Sequence, residues 1–389
     1  MISRRAVLAG LVSQGQAEPM RGMMAIGVIA RRGDGALALK QIEGQALSGG
    51  RLRAFAFDDP FRVASISKMI TATALMRLAP DLDADVSDIL GARLRHPFFP
   101  DAPVTLRRLL SHTSGLRNGK DFPVLFGRAL LGVLADRTGG WWGAEPPGFF
   151  SYSDVNYGLV AQIIERIAGA RFDLHMTRTM LAPLGLDIGY NWSGVSQPRR
   201  DRAAAGCRSV DGRWTPDIDG EIVRAPTVAI FRAPEAANLT EADYRLGENG
   251  LAFSPHGGLR LSLADLDRLA QLYVRGEALL PRAQLEVMMK PAWVFDGANG
   301  NTEGGFYQSF GLGVHAPAGE GFFGPATRDW RGHFGDAYGW MTGLFWNVRD
   351  GCTIAWAING MPESGRPRGV RAPLTAPEEA VIDLALAAF

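Results

Sequence analysis

The chain has 389 residues and a mass of 42.0 kDa, and its 41 basic and 40 acidic residues leave a formal net charge of +1. This balance excludes the basic excess of a general nucleic-acid-binding protein, and no apolar run reaches the ~18 residues that span a bilayer. Two cysteines exclude a disulfide framework and a four-cysteine zinc site. The composition therefore predicts a globular protein of two or three structural units, large enough for an enzyme.

The first residues carry features of an export signal. Residues 3–5 (Ser-Arg-Arg) precede an apolar stretch, as in twin-arginine signals, and residues 15–17 provide a cleavage site. The apolar stretch, residues 6–12, is at the lower length limit of such segments, so a short N-terminal helix is an equal alternative. Residues 1–17 therefore predict either an exported, periplasmic protein or a cytoplasmic one.

Strands are predicted toward both ends of the chain. Residues 24–32 are apolar, and a turn at 33–35 leads into a second strand at 36–40. Residues 61–64 form a short third strand. Three more apolar and aromatic strands are predicted at 308–315, 341–348 and 352–359.

Helices are predicted mainly between these strands. Apolar side chains recur at helical spacing from Ser65 onward and again over residues 154–168. Patterns typical of capping boxes begin further helices at residues 262–265 and 375–378. The sequence thus predicts a mixed α/β (α+β) fold, with one antiparallel sheet formed by the two chain ends and flanked by helices.

This order of elements also predicts a division into domains. Residues 18–79 and 255–389 would form a sheet-containing α/β domain. Residues 80–254 would form an inserted, mainly helical domain. The active site would lie in the cleft between them.

The tetrapeptide Ser65-Ile66-Ser67-Lys68 is the first candidate for chemistry. Residues three apart lie on the same face of a helix, so the Lys68 amine would reach the Ser65 hydroxyl at the helix start. A serine needs such a base, because its hydroxyl alone is a weak nucleophile. The alternative is an ordinary N-cap serine followed by a solvated lysine.

Two further motifs are weak when taken alone. Tyr152 precedes Asp154 in a loop before a predicted helix, where it is either a proton carrier or a packing residue. His333 lies between glycines on a predicted edge strand, which would allow a substrate to approach the backbone closely.

Taken in order, the S-x-x-K, Y-S-D and H-x-G motifs resemble the serine β-lactamase and penicillin-binding-protein superfamily. More narrowly, the chain is similar to the β-lactamase-related family of class C β-lactamases, D-alanyl-D-alanine carboxypeptidases, D-aminopeptidases and family VIII carboxylesterases. Residues 109–116, 255–259 and 311–313 also look like members of this family. The resemblance covers about residues 20–389 and implies a β-lactamase/transpeptidase-like fold.

The resemblance implies a role for each motif. Ser65 would be the nucleophile, and Lys68 and Tyr152 would share the general-base and proton-shuttle work. His333 would occupy the strand position that is lysine in class C β-lactamases and histidine in some peptidases. The backbone N–H groups of Ser65 and Asp336 would form the oxyanion hole. Four residues are expected to bind substrate: Asp154, Phe334, Gly335 and Asp336.

Other expectations concern what the site lacks. The six histidines predict no metal site, and no cofactor is expected. His112 lies in a recognisable motif but is interpreted as structural. Whether Cys207 and Cys352 pair is left open by the sequence, as is the oligomeric state.

Departures from the family pattern bear on the substrate. Asp154 stands where many β-lactamases have asparagine; if it reaches Lys68 it would raise the lysine pKa and favour a Tyr152 phenolate as base. Phe334 replaces a hydroxyl donor, and an anionic Asp336 would repel a substrate carboxylate. These changes predict poor turnover of β-lactams and of D-alanyl-D-alanine peptides.

Several functions therefore stay open. The leading hypothesis is a serine hydrolase for small esters or for amides without a free carboxylate, with an acyl pocket formed by Phe334, Tyr338 and Trp340 unless these are core aromatics. The second is an aminopeptidase or amidase for D-amino-acid derivatives, with Asp336 or Asp154 pairing the substrate ammonium. A β-lactamase or carboxypeptidase is third, and a non-catalytic binding protein on the same scaffold is last.

Overall fold

A computed structural model describes residues 22–190, 192, 194–217, 241–317, 321–371 and 373–389. The expected export signal or helix at residues 1–17 lies outside these ranges. In the part of the chain so described, no helix has both the length and the apolar character needed to cross a membrane.

The strands are short outside one central sheet. They are β1 (Ala25–Arg31), β2 (Leu37–Ser48), β3 (Arg51–Ala54), β4 (Phe61–Arg62), β5 (Gly189–Tyr190), β6 (Cys207–Val210), β7 (Arg213–Pro216), β8 (Leu259–Leu261), β9 (Trp293–Val294), β10 (Ser309–Phe310), β11 (Trp330–Ala337), β12 (Trp340–Asn347) and β13 (Thr353–Asn359).

Most helices lie between β4 and β9. They are α1 (Ile66–Arg77), α2 (Val86–Leu90), α3 (Leu106–Leu110), α4 (Leu130–Ala135), α5 (Val155–Ala168), α6 (Phe172–His175), α7 (Gln197–Arg200), α8 (Leu263–Arg275), α9 (Arg282–Met289) and α10 (Ala376–Leu386). Single 3-10 or π-helical turns cover Met176–Leu181, Ala182–Leu184, Glu241–Asp243, Gly250–Phe253 and Gly324–Asp329.

The central sheet has six antiparallel strands in the order β11-β12-β13-β1-β2-β3. The first strand pairs with the last, with Ala25 opposite Asn359. Strands from the two ends of the chain therefore form one sheet, which confirms the predicted fold class. The strand that carries His333, β11, lies at the edge of the sheet, and on its outer side Gly332 forms an isolated bridge with His315.

Helices cover both faces of the sheet. Successive side chains of β1 point to opposite faces, so Ile29 packs into the core with Leu266 of α8, whereas Val28 packs into a second core with Ile382 of α10. Both helices begin with the capping boxes predicted for them, at Ser262 and at residues 375–378. The sheet is consequently the middle of three layers and is buried on both sides.

Helix α1 is the structural centre of the active-site region. Eleven of its twelve residues are buried, because it packs between the β11–β12 edge of the sheet and helix α5. Residues 80–254 contain most of the remaining short helices, together with the short strands β5, β6 and β7. One of these strands, β5, pairs with β8 and so connects this segment to the region around α1.

Two local expectations need correction or completion. The strand predicted at 308–315 is only two residues long, because Gly313 adopts a φ of 78° and the chain turns back so that Gly311 N donates to Val314 O. Cys207 and Cys352 are both free thiols, so they do not form the bridge that the sequence left open.

Candidate active site

Ser65 occupies the N-cap position of α1, but its side chain makes no capping hydrogen bond. Its hydroxyl instead accepts a hydrogen bond from Lys68 Nζ, at 2.9 Å from Oγ. The preceding residue, Ala64, has a φ of 49°, a left-handed conformation that costs a residue with a Cβ about 1 kcal/mol or more. The local backbone therefore turns the hydroxyl away from the helix and toward the lysine, unlike an ordinary N-cap serine.

Lys68 is completely buried, and each of its three N–H donors has an acceptor. Besides Ser65 Oγ, these are the Asp154 carboxylate at 2.6 Å and the His256 carbonyl oxygen at 3.0 Å. Burial lowers the pKa of Lys68, while the neighbouring Asp154 carboxylate opposes this shift. The lysine is thus held beside the serine hydroxyl with its ammonium form less favoured than in water.

Asp154 occupies the N-cap position of α5 and also makes no capping bond with its side chain. Its carboxylate points to Lys68, and Asn118 takes over the cap, accepting a hydrogen bond from Val155 N at 3.2 Å. Asn118 also donates to Asp154 at 3.1 Å. Although burial works against ionisation, Lys68 holds the pKa of Asp154 below its usual value. The sequence analysis missed Asn118, which lies 36 residues before Asp154 and carries no motif of its own.

Tyr152 packs over the same lysine. Its ring lies 4.8 Å from Lys68 Nζ and stacks on that of Tyr307 at 5.0 Å, and Tyr152 lines the same cavity as Ser65. Burial, and secondarily the Asp154 charge, raise the pKa of Tyr152 well above its ordinary value. Tyr152 thus lies beside Lys68 in the cavity that Ser65 lines, and its raised pKa disfavours the phenolate considered in the sequence analysis.

His333 lies on β11, buried, with its ring centroid 6.3 Å from that of Tyr152. Its Nδ1 is 2.5 Å from the carbonyl oxygen of Phe334, so Nδ1 carries the proton and donates it. Burial, with the charge of Lys68, lowers the pKa of His333 to about 3. The residue is therefore a neutral imidazole at neutral pH, and it does not replace the charge of a lysine.

Asp336 follows on the same strand and is not a free anion. Both oxygens of its carboxylate accept hydrogen bonds from Arg366, one of them at 3.1 Å. Arg366 therefore offsets part of the charge by which Asp336 was expected to repel a substrate carboxylate. The sequence offered no signal for Arg366, which follows 30 residues later in the chain and reaches Asp336 only through the fold.

Two cavities open on either side of Ser65. The first, of about 210 Å³, has an apolar end formed by Phe122, Val124 and Leu251. The second, of about 370 Å³, extends past Tyr152 and His333 toward Glu303 and Arg366. Ser65 and Asp336 line both cavities, so the predicted nucleophile stands at the junction of an apolar arm and a polar arm.

The expected aromatic acyl pocket is only partly present. Trp340 is buried and stacks on Phe61 at 4.4 Å, so it is a core residue. Phe334 lines the polar arm but packs mainly within an aromatic core. Of the three predicted aromatic residues, only Tyr338 lines the apolar arm. Close packing explains the glycine at position 335, because a Cβ there would lie 2.2 Å from the carbonyl oxygen of Val63.

His112 lies beneath the site. Its ring is 4.4 Å from that of Tyr152, and its Nδ1 accepts a hydrogen bond from Ser153 N at 3.1 Å. These contacts orient the loop that carries Tyr152. Over the described ranges, no group of three or more His, Cys, Asp or Glu side chains is arranged to hold a metal ion.

Comparison with known proteins gives consistent matches. A model of the Beta-lactamase family matches residues 11–376. Penicillin-binding protein 4 of Amycolatopsis lactamdurans is 30% identical over 155 residues, which are 38% of this chain and 40% of that protein. The matched part thus spans less than half of that relative's length.

Solved structures agree over nearly the whole chain. An octameric penicillin-binding protein homologue from Pyrococcus abyssi superposes with a TM-score of 0.68 at 18% identity, covering 99% of this chain and 76% of that one. The D-amino acid amidase from Ochrobactrum anthropi superposes with a TM-score of 0.65 at 18% identity, covering 95% and 94%. At these identities the matches establish the fold, which is the β-lactamase/transpeptidase-like fold expected from the sequence.

Proposed function

Because the chain belongs to the Beta-lactamase family, within the serine hydrolase superfamily, we propose that it hydrolyses its substrates through an acyl-enzyme on Ser65. The observation that carries this proposal is the contact of 2.9 Å between Lys68 Nζ and Ser65 Oγ in a site where the lysine is completely buried. A nucleophile and a base within hydrogen-bond reach, with the base oriented by a third group, is the arrangement that activates a serine. Asp154 is that third group here.

The proposed base is Lys68 in its neutral form. Burial lowers the pKa of Lys68, and the positive end of the α1 dipole also disfavours an ammonium at this place. The raised pKa of Tyr152, which burial causes, argues against a phenolate as the resting base. Lys68 would take the proton of Ser65 while Oγ forms a bond to the substrate carbonyl carbon.

The remaining steps follow from the same contacts. The Tyr152 hydroxyl, in the same cavity as Ser65, would pass its proton to the leaving group as the bond to the carbonyl carbon breaks. It would take the proton held by Lys68 in return, which restores both groups. The N–H groups of Ser65 and Asp336 would stabilise the oxyanion, a contribution of about 3 kcal/mol per donor in other serine hydrolases. Water activated by Lys68 or Tyr152 would then release the acid and restore the Ser65 hydroxyl.

The proposed substrates are small esters, or amides without a free carboxylate. Three basic side chains of the described part of the cleft already have partners. Lys68 contacts Asp154, and Arg366 pairs with Asp336. Arg62, which lines the first cavity, donates to the Gly257 carbonyl oxygen and lies over the Tyr338 ring. His333 is neutral because burial lowers its pKa to about 3. A substrate carboxylate would therefore lose its water without gaining a free charged partner, whereas an apolar group fits the arm lined by Phe122 and Leu251.

A substrate panel tests this choice. We expect kcat/KM for p-nitrophenyl butyrate to exceed that for nitrocefin, which carries a carboxylate, by at least about tenfold, the equivalent of one missing charge-assisted hydrogen bond. The measurement is initial-rate hydrolysis of both compounds by the same preparation. Efficient nitrocefin hydrolysis, close to that of the ester, would instead indicate a β-lactamase.

A second candidate is an amidase for D-amino-acid derivatives. The D-amino acid amidase among the structural neighbours supports this candidate. The residues first expected to pair the substrate ammonium, Asp154 and Asp336, are already bound to Lys68 and Arg366. The candidate therefore needs another carboxylate in the cleft.

Replacing Asp154 by asparagine tests the base. The Asp154 charge raises the pKa of Lys68, whereas burial lowers it, so the Asp154→Asn variant should lower the lysine pKa further. Neutral Lys68 then persists to lower pH, and the ascending limb of the kcat/KM profile should move to lower pH by the same amount. Asp101→Asn, at an exposed site, is the matched control. An unmoved limb would argue against Lys68 as the base.

A further inference from the structure

The polar arm of the cleft contains three carboxylates and one guanidinium. Asp336 is paired with Arg366. Glu378 belongs to the capping box of α10, where its Oε2 accepts a hydrogen bond from the Thr375 hydroxyl at 2.8 Å. Burial raises the pKa of Glu378 to about 7. Both of these carboxylates are therefore already engaged by the protein.

Glu303 is different from the other two. It lines the same cavity as Ser65, Tyr152 and His333, yet its carboxylate has no hydrogen bond or ion pair with any residue in the described ranges. It lies on the turn of residues 302–305, four residues before Tyr307, which stacks on Tyr152. Among the described residues, the turn thus holds a carboxylate without a partner in the lining of the polar arm.

His333 offers a second acceptor in this arm. Since its Nδ1–H donates to the Phe334 carbonyl oxygen, Nε2 of the neutral ring carries a lone pair. That nitrogen is buried, and within the described ranges it has no hydrogen-bond partner. A buried acceptor without a partner costs free energy, which a donor on a bound substrate would recover.

We infer that the polar arm selects substrates with a free amine, and that Glu303 is the residue that determines this specificity. The Glu303 carboxylate would pair with the substrate ammonium, and His333 Nε2 would accept a hydrogen bond from an N–H of the substrate. This inference rests on the acyl-enzyme proposed above and names its substrate class: esters and amides of amino acids whose amine is unblocked. The apolar arm would hold the amino-acid side chain or the leaving group.

The test compares substrates that differ only in the amine. The probes are phenylalanine p-nitroanilide, as both enantiomers, and 3-phenylpropionyl p-nitroanilide, which lacks the amine. We expect kcat/KM to be at least about tenfold higher for one enantiomer of the amine, as for one charge-assisted hydrogen bond. In Glu303→Gln this ratio should fall to within about threefold of unity, with the change mainly in KM.

The matched control is Glu277→Gln, which removes the same charge at an exposed position that lines none of the described cavities. Its ratio should equal that of the wild type. An amine-independent wild type, or a Glu303→Gln variant that keeps the wild-type ratio, would overturn the role of Glu303. Hydrolysis of 3-phenylpropionyl p-nitroanilide that depends on Ser65 would still support the acyl-enzyme, whereas Ser65-independent turnover of every probe would overturn both proposals.

Discussion

Replacing Ser65 by alanine is expected to lower kcat for p-nitrophenyl butyrate by about 10⁴-fold or more, because removing the nucleophile of a serine hydrolase leaves only binding and oxyanion stabilisation. The hydroxyl is not part of the α1 cap, so the fold should be unaffected. The measurement combines initial rates with the mass of the intact protein after a rapid acid quench. The wild type should gain the mass of one butyryl group, and Ser65→Ala should gain none.

Ser48→Ala provides the control for this experiment. Ser48 lies on β2, and its hydroxyl donates to the Asp201 carbonyl oxygen in an exposed setting far along the chain from the motif. Its variant should keep the wild-type rate and the acyl adduct. An adduct that persists in Ser65→Ala would place the nucleophile elsewhere, and equal rates in both variants would reduce the activity to background ester hydrolysis.

Lys68 should be almost as sensitive as Ser65. We expect Lys68→Ala to lose about 10³-fold in kcat, within the range that a positioned general base contributes. The same change leaves the Asp154 carboxylate without its partner in a mostly buried place. Removing one member of a buried pair typically costs about 3 kcal/mol or more, so the melting temperature should fall as well.

A double variant separates these two losses. In Lys68→Ala/Asp154→Asn no unpaired charge remains, so the free energy of unfolding should recover toward that of the wild type, while kcat stays as low as in the single variant. Lys290→Ala, at an exposed lysine, controls for the loss of a lysine as such. Recovery of activity along with stability would mean that Lys68 has only a structural role.

The local parts of the fold could be predicted from the sequence because they depend on neighbouring residues. The start of α1 at residue 66 and the capping box at Ser262 are set by side chains three or four positions apart. The contact between Ser65 and Lys68 is of the same kind, since i and i+3 share a helix face. Turn and strand patterns likewise located β1 and β13 to within one or two residues.

The rest of the site depends on contacts between distant segments. Arg366 reaches Asp336 from a segment without regular secondary structure, and Asn118 reaches Asp154 from a loop. Neither residue stands in a repeating pattern, so local analysis could not find them. The state of His333 was also beyond the sequence, because burial, which the fold creates, lowers its pKa to about 3.

The pairing of β1 with β13 has a consequence for biosynthesis. These neighbours in the sheet are more than 300 residues apart in the chain, so β1 leaves the ribosome long before its partner is translated. During that time one edge of β1 has no strand to bind, and its apolar side chains need cover from elsewhere. Because β11 and β12 join the sheet through β13, the strand that carries His333 takes its place in the sheet only after β13 has been translated. The proposed hydrolytic activity should therefore appear only after β13 has been translated, when the Ser65 helix has long been available.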